Sequence, residues 1–265
     1  MVNALVLTGY GVNCDEETAF SFKKAGADAK IVHVNDLIKN PGQLKDFQIF
    51  AFPGGFSYGD DTGSGNALAN KMRNLLWQDL MEFVDQEKLI IGICNGFQVI
   101  ANLGLLPEAG GKYGERTVAL APNNSARYEC RWVSLKGISK KCVFTKGIDG
   151  IRMPVAHGEG KFTASKEVLD ALVENDQVVF KYAKGSGLAE GEFPFNPNGS
   201  VLDIAGICNE TGRILGLMPH PERNIFFTQQ DDWTKQKEVL KRKGEKLPVE
   251  GAGMKIFRNA VAHFK

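Results

Sequence analysis

Apolar residues recur along this chain in two rhythms. Short unbroken runs at Ala4–Thr8, Ala29–Val34, Gln48–Phe52, Leu89–Ile93 and Ile214–Met218 read as strands covered on both faces. Between them, apolar residues return every three or four positions, as amphipathic helices require. Asn66–Gln86 puts Leu68, Met72, Leu75, Leu76, Leu80 and Phe83 on one stripe, read as core, and Phe97, Ile100, Ala101 and Leu103 share a shorter one. Asn13 is placed to cap a first helix, with Glu16 as capping-box partner and Gly26 as stop. Asn35–Asp36 opens a short helical connection ending near Asn40–Pro41. Strand alternating with helix predicts an α/β fold, three-layered α/β/α, around a mostly parallel open sheet.

After Gly104 the rhythm changes. Thr117–Ala121, Ala126–Leu135, Cys142–Thr145 and Ile151–Ala156 read as shorter strands with polar breaks, which predicts added antiparallel pairing. Ser165 caps a helix running to Asn175, and Val178–Tyr182 and Val201–Asn209 are strands joined by a Gly/Pro/Asn-rich loop. The stretch 228–253 is polar and locally basic and is expected as a surface insertion, before a closing helix at Met254–Phe264. One domain over 1–265 accommodates all of this.

Composition narrows the class. The 265 residues are 43% hydrophobic and 24% charged with net charge +1, so no nucleic acid or anionic membrane is called for as partner. No apolar run reaches the length of a membrane span and no signal-peptide pattern opens the chain. Five scattered cysteines, at 14, 94, 130, 142 and 208, fit reduced thiols in a cytoplasm, and no spacing suggests a metal site.

The chemistry concentrates at strand ends. Gly92-Ile93-Cys94-Asn95-Gly96 has the Gly-x-nucleophile-x-Gly form of a nucleophile elbow, with Cys for Ser. Residues two before and two after the nucleophile pass close in such a turn, and glycine removes the clashing Cβ atoms. Cys94 then stands at a helix N-terminus, which favours a thiolate, and the N–H of Asn95 faces any oxyanion formed on an attacked acyl group. A buried, inert cysteine is the bland alternative. Pro53-Gly54-Gly55-Phe56 follows another parallel strand, where Gly55 N–H is a second oxyanion donor; a merely flexible loop is the alternative. His157 ends a strand beside glycine, as a site residue or as a structural histidine. Pro219-His220-Pro221-Glu222 follows the last apolar strand. Each proline extends the residue before it, so His220 and Glu222 project to the same side, and the carboxylate can fix the imidazole as a general base for a thiol.

Cys94, His220 and Glu222 in this order resemble the class I (triad) glutamine amidotransferases, which have a flavodoxin-like sheet. Within them, Pro53-Gly-Gly-Phe-Ser-Tyr-Gly-Asp60, Gly92-Ile-Cys-Asn-Gly-Phe-Gln98, Pro154-Val-Ala-His-Gly-Glu-Gly160, Leu217-Met-Pro-His-Pro-Glu-Arg223 and Asn13-Cys-Asp15 are similar to the glutaminase subunits of phosphoribosylformylglycinamidine synthase. The resemblance implies that Cys94 attacks the amide of L-glutamine, His220 serves as base and then acid, and Glu222 orients it. It further implies an oxyanion hole at Gly55 and Asn95, with Gly54 and His157 beside it and Gln98 holding substrate. No cofactor is expected in this chain; ATP and Mg are expected in a large synthetase partner, often joined by a small bridging subunit, which receives the ammonia. Two stretches depart from the family pattern. Asp61-Thr-Gly-Ser-Gly65 stands where many relatives carry Leu-Arg, and the basic insertion is long. An elbow-cysteine peptidase or deglycase, and a catalytically silent regulatory subunit, are the alternatives.

Overall fold

Strands that are apolar on both faces are satisfied only inside a sheet covered on both sides, and the chain builds one. The structure is a computed structural model that describes residues 1–108 and 110–265. β1 (Asn3–Thr8), β2 (Asp28–His33), β3 (Ile49–Phe52) and β4 (Leu89–Ile93) alternate with α1 (Asp15–Ala25), α2 (Val34–Lys39) and α3 (Asn66–Asp85). α4 (Asn95–Leu103) follows β4 directly. β5 (Val118–Ala121), β6 (Glu129–Gly137), β7 (Gly150–His157), β8 (Lys161–Ala164), α5 (Lys166–Glu174) and β9 (Val178–Lys184) come next. β10 (Gly187–Leu188), β11 (Ile204–Cys208), β12 (Ile214–Leu217), α6 (Trp233–Arg242) and α7 (Met254–Ala262) complete the chain.

The main sheet runs β2-β1-β3-β4-β12-β11-β9-β6-β7, with β10 on β9. From β2 to β12 every pairing is parallel, and from β12 outward every pairing is antiparallel. β1 steps to β2 in one direction and β3 to β4 in the other. Right-handed crossovers therefore put α1 and α3 on opposite faces, where α1 packs with α7 and α3 with α4. Every residue of β3 and β4 is buried, each large apolar side chain contributing about 1.5–3 kcal/mol. The added antiparallel strands appear as expected, partly in this sheet and partly as the β5–β8 pair.

Several local expectations are corrected. Asn13 does not cap α1: its N–H donates to Gly54 O and its Oδ1 accepts from the Cys14 thiol, leaving Cys14 at the cap position with no side-chain bond to the first turn of the helix. Gly26 does stop the helix, in the left-handed conformation at φ 96°. Leu75 of the α3 stripe is 53% exposed, because it lies at the edge of the face that Leu76 and Leu80 bury. Cys142–Thr145 is not a strand: Val143–Thr145 forms a 3₁₀ turn in contact with α7. Lys161–Ala164 is a strand with too few apolar residues to announce itself, and it pairs along β5. Val201–Asp203 is a 3₁₀ turn that precedes β11. From Thr228 to Glu250 no residue is buried, and the tract leaves and rejoins the body where Phe226 pairs with Glu250.

Candidate active site

The elbow between β4 and α4 is as tight as its glycines suggest. A Cβ on Gly92 would lie 2.6 Å from Gly96 O, and one on Gly96 would lie 1.8 Å from Phe52 O of β3. Cys94, between them, adopts φ 51°, ψ −108°, a conformation costing a non-glycine residue about 1–3 kcal/mol. The turn is held because Cys94 N–H donates to Leu217 O, 2.8 Å away at the end of β12. The strand that leads to His220 is thus bonded to the backbone of Cys94. Cys94 is 5% exposed, and its Sγ lies 3.6 Å from Ala156 O at the end of β7.

Past β12 the backbone turns over Pro219. His220 stays extended, but Pro221–Arg223 is a 3₁₀ turn rather than continued extension. The turn still brings the two side chains together: Glu222 Oε1 lies 2.5 Å from His220 Nδ1. His220 N–H is anchored on Pro154 O, so β7 and the last strand meet at the site. Nε2, the outer ring nitrogen, is buried without a hydrogen-bond partner. Burial alone would lower the proton affinity of this ring, but the Glu222 carboxylate and then the Cys94 sulfur overcome it and hold the imidazole well above its usual range. Gly54 packs against the same ring, and a Cβ there would sit 2.8 Å from His220 Cε1 and 3.5 Å from Cys94 Cβ. The sulfur and the imidazole are therefore neighbours across Gly54.

Gly55 reaches φ 150°, and a Cβ on it would lie 2.5 Å from Gly11 O. Its loop pairs with the turn after β1, where Gly54 O accepts the N–H groups of Asn13 and Cys14 and Phe56 N–H donates to Gly11 O. Asn95 is 1% exposed, and its side chain links this loop to α4 through Ser57, Asp60 and Gln98. Gln98 is engaged at both ends, accepting from Asn95 and donating 2.5 Å to Glu159 O. Beside it lies a polar cavity of about 90 Å³ lined by Ser64, Asn66, Asn102, Arg116 and Glu159. A larger cleft of about 460 Å³, near Ser134, Arg152 and Gln230, shares no residue with the cysteine and histidine.

His157 lies at the end of β7, enclosed by amides. Nδ1 lies 3.2 Å from Asn123 Oδ1, Nε2 lies 3.5 Å from Asn198 Nδ2, and Gly160 packs on the ring. Burial first, then the nearby His220, push it down to about 4, so it is neutral near pH 7.

Two neighbours, Cys14 and Arg223, stand in the motifs quoted above but carried no assigned role. Cys14 offers its sulfur within 4.8 Å of ligand atoms of His220 and Glu222, but Arg223 Nη2 lies 3.0 Å from that sulfur, a cation where a metal ion would need to bind. Arg223 sits one residue past Glu222, so the local sequence carried that signal.

Residues 1–264 match the family described as CobB/CobQ-like glutamine amidotransferase domain. A protein of Methanococcus maripaludis named phosphoribosylformylglycinamidine synthase subunit PurQ is 53% identical over 263 residues, spanning 98% of this chain and 96% of its own. A Dehalococcoides mccartyi protein of the same name is 46% identical over 261 residues, spanning 98% of this chain and 96% of its own. Among solved structures, a chain in the structure of PurLQS from Thermotoga maritima superposes with TM-score 0.73 at 29% identity, covering 100% of this chain and 99% of that one.

Proposed function

Because the chain belongs to the CobB/CobQ-like glutamine amidotransferase family, we propose that Cys94, His220 and Glu222 hydrolyse the side-chain amide of L-glutamine. The chain is the glutaminase subunit of a phosphoribosylformylglycinamidine synthase and works in purine biosynthesis beside that enzyme's synthetase subunit. The observation that most supports the triad is the His220–Glu222 contact at 2.5 Å, with Nε2 left unpartnered next to the strained Cys94.

In this reading Cys94 attacks as the thiolate, its proton already held on His220 Nε2, and Sγ bonds to the amide carbon. The carbonyl oxygen takes the negative charge and is met by the N–H groups of Gly55 and Asn95, each such donor contributing about 3 kcal/mol to the transition state. The C–N bond then breaks, His220 returns the proton to the departing nitrogen, and ammonia leaves a glutamyl thioester. Water gives a proton to the same imidazole and cleaves the thioester to glutamate, which restores the thiolate beside a protonated His220. Ammonia released into water becomes ammonium and loses its nucleophilic lone pair, so delivery to the synthetase has to be enclosed. ATP and Mg belong, on this proposal, to the synthetase, and a small bridging subunit completes the complex. Gln98 and Gly54 line the substrate's approach.

The test is covalent. A diazo-ketone analogue of glutamine, given to the complex, should modify Cys94, and Cys94→Ala should remove both the adduct and glutamine hydrolysis, a loss of at least about 10⁴-fold in kcat. No adduct at Cys94 with the synthetase present would overturn the proposal.

A further inference from the structure

We propose that the side chain of Asn95 is a positioning residue that fixes the distance between the two oxyanion donors. It does so by tying the loop that carries Gly55 to the elbow that carries Cys94. The proposal rests on the reading of Cys94 as an acyl-transfer nucleophile. Only the backbone N–H of Asn95 takes part in that reading, which leaves its buried amide without a role.

That amide is used almost to capacity. Oδ1 accepts the Ser57 N–H at 3.1 Å, two residues beyond Gly55. Nδ2 donates to Asp60 Oδ1 at 3.2 Å and to Gln98 Oε1 at 2.9 Å. The network continues outward. Ser64 Oγ donates to Asp60 Oδ2 at 3.0 Å, Ser64 N–H to Glu159 Oε2 at 3.3 Å, and Asn102 Nδ2 to Ser64 O at 3.0 Å. Aspartate at 95 would keep the acceptor and lose both donors. An apolar residue would lose all three bonds and leave Ser57 N–H unpaired in the interior.

The loop needs holding from this side. Tyr58, Gly59 and Asp60 all have left-handed φ, at 55°, 72° and 56°, a run that two non-glycine residues do not adopt unaided. From the side of β1, the loop is fixed by Phe56 N–H to Gly11 O and Tyr58 N–H to Tyr10 O. From the side of α4, the bond from Ser57 to Asn95 is the tie closest to Gly55. Without it, Gly55 would follow the turn after β1 while Asn95 N–H would follow the elbow. A misplacement of about 1 Å between catalytic groups costs about 100-fold in rate.

The experiment compares two reactions at the same sulfur, in the complex with its synthetase. Glutamine hydrolysis needs the oxyanion hole; alkylation of Cys94 by iodoacetamide forms no oxyanion and reports on the elbow alone. Asn95→Ala should lower kcat for hydrolysis by about 30- to 100-fold, with KM changed less than about threefold and the alkylation rate changed less than about twofold. Asn95→Asp sets a second carboxyl against Asp60, whose own carboxyl burial already holds above the usual range. Its hydrolysis relative to wild type should therefore recover as pH falls and the pair takes up a proton. Unchanged kcat in Asn95→Ala, or alkylation falling as far as hydrolysis, would overturn the positioning role. Should Asn95→Ala not fold, the same pair of rates in Asn95→Asp decides. Hydrolysis surviving in Cys94→Ala would instead show that the nucleophile assignment itself had failed.

Discussion

His220 and His157 are almost equally withdrawn from water, at 1% and 2% exposure, yet they are held in opposite states. Glu222 lies against one ring at 2.5 Å, and Asn123 and Asn198 flank the other. Burial lowers the proton affinity of both. In His220 a carboxylate and a sulfur reverse the sign; in His157 neutral amides flank the ring, the charge of His220 adds to the penalty, and the pull of Glu129 is too small to reverse it. Depth therefore does not decide which way the proton affinity of these two rings moves. The charge of the partner does.

The comparison can be broken at Glu222. Glu222→Gln keeps the shape and removes the charge, so the proton affinity of His220 should fall from its raised value. We expect kcat for glutamine hydrolysis to fall by about 10²–10⁴-fold, with the imidazole titration followed by NMR of the ring. A variant whose His220 still titrates high would show that something other than the carboxylate sets its state.

His157 gives a smaller effect with a different signature. Its ring binds a proton near 6.5 when unfolded and at about 4 when folded. Between those values the unfolded chain holds more protons, so stability falls as pH falls, by about 3 kcal/mol in all. His220 has the opposite sign: its contribution is complete below 6.5 and is lost as pH rises through its elevated folded value. In His157→Gln, urea midpoints should decline less between pH 6.5 and 4 than in wild type, while kcat near pH 7.5 should change less than about tenfold. A loss of activity as deep as that of Glu222→Gln would make His157 part of the chemistry.

This contrast also marks what the sequence could disclose. The elbow was legible because half of its constraint is local: a Cβ on Gly92 would meet Gly96 O within the same five residues, whereas Gly96 is held to glycine by Phe52 O of the neighbouring strand. His-Pro-Glu was legible for the same reason, although a 3₁₀ turn, not an extended strand, brings the pair together. The place of His157 depends on Asn123 and Asn198, each more than thirty residues away, and no spacing rule reaches that far. Asn13 failed as a cap because a distant loop, at Gly54, claimed its neighbourhood first. Cys142–Thr145 had strand-like composition, but its surroundings at α7 made it a turn.

Gly54 has a consequence of its own. With His220 Cε1 2.8 Å from where its Cβ would stand, and the ring already braced by Glu222, position 54 tolerates hydrogen and nothing larger without displacing the imidazole. A lone methyl there would jam the mechanism from inside the fold, as a tight blocker would from outside. Gly54→Ala should consequently turn over glutamine poorly while melting close to the parent temperature, a separation that a simple packing defect would not produce.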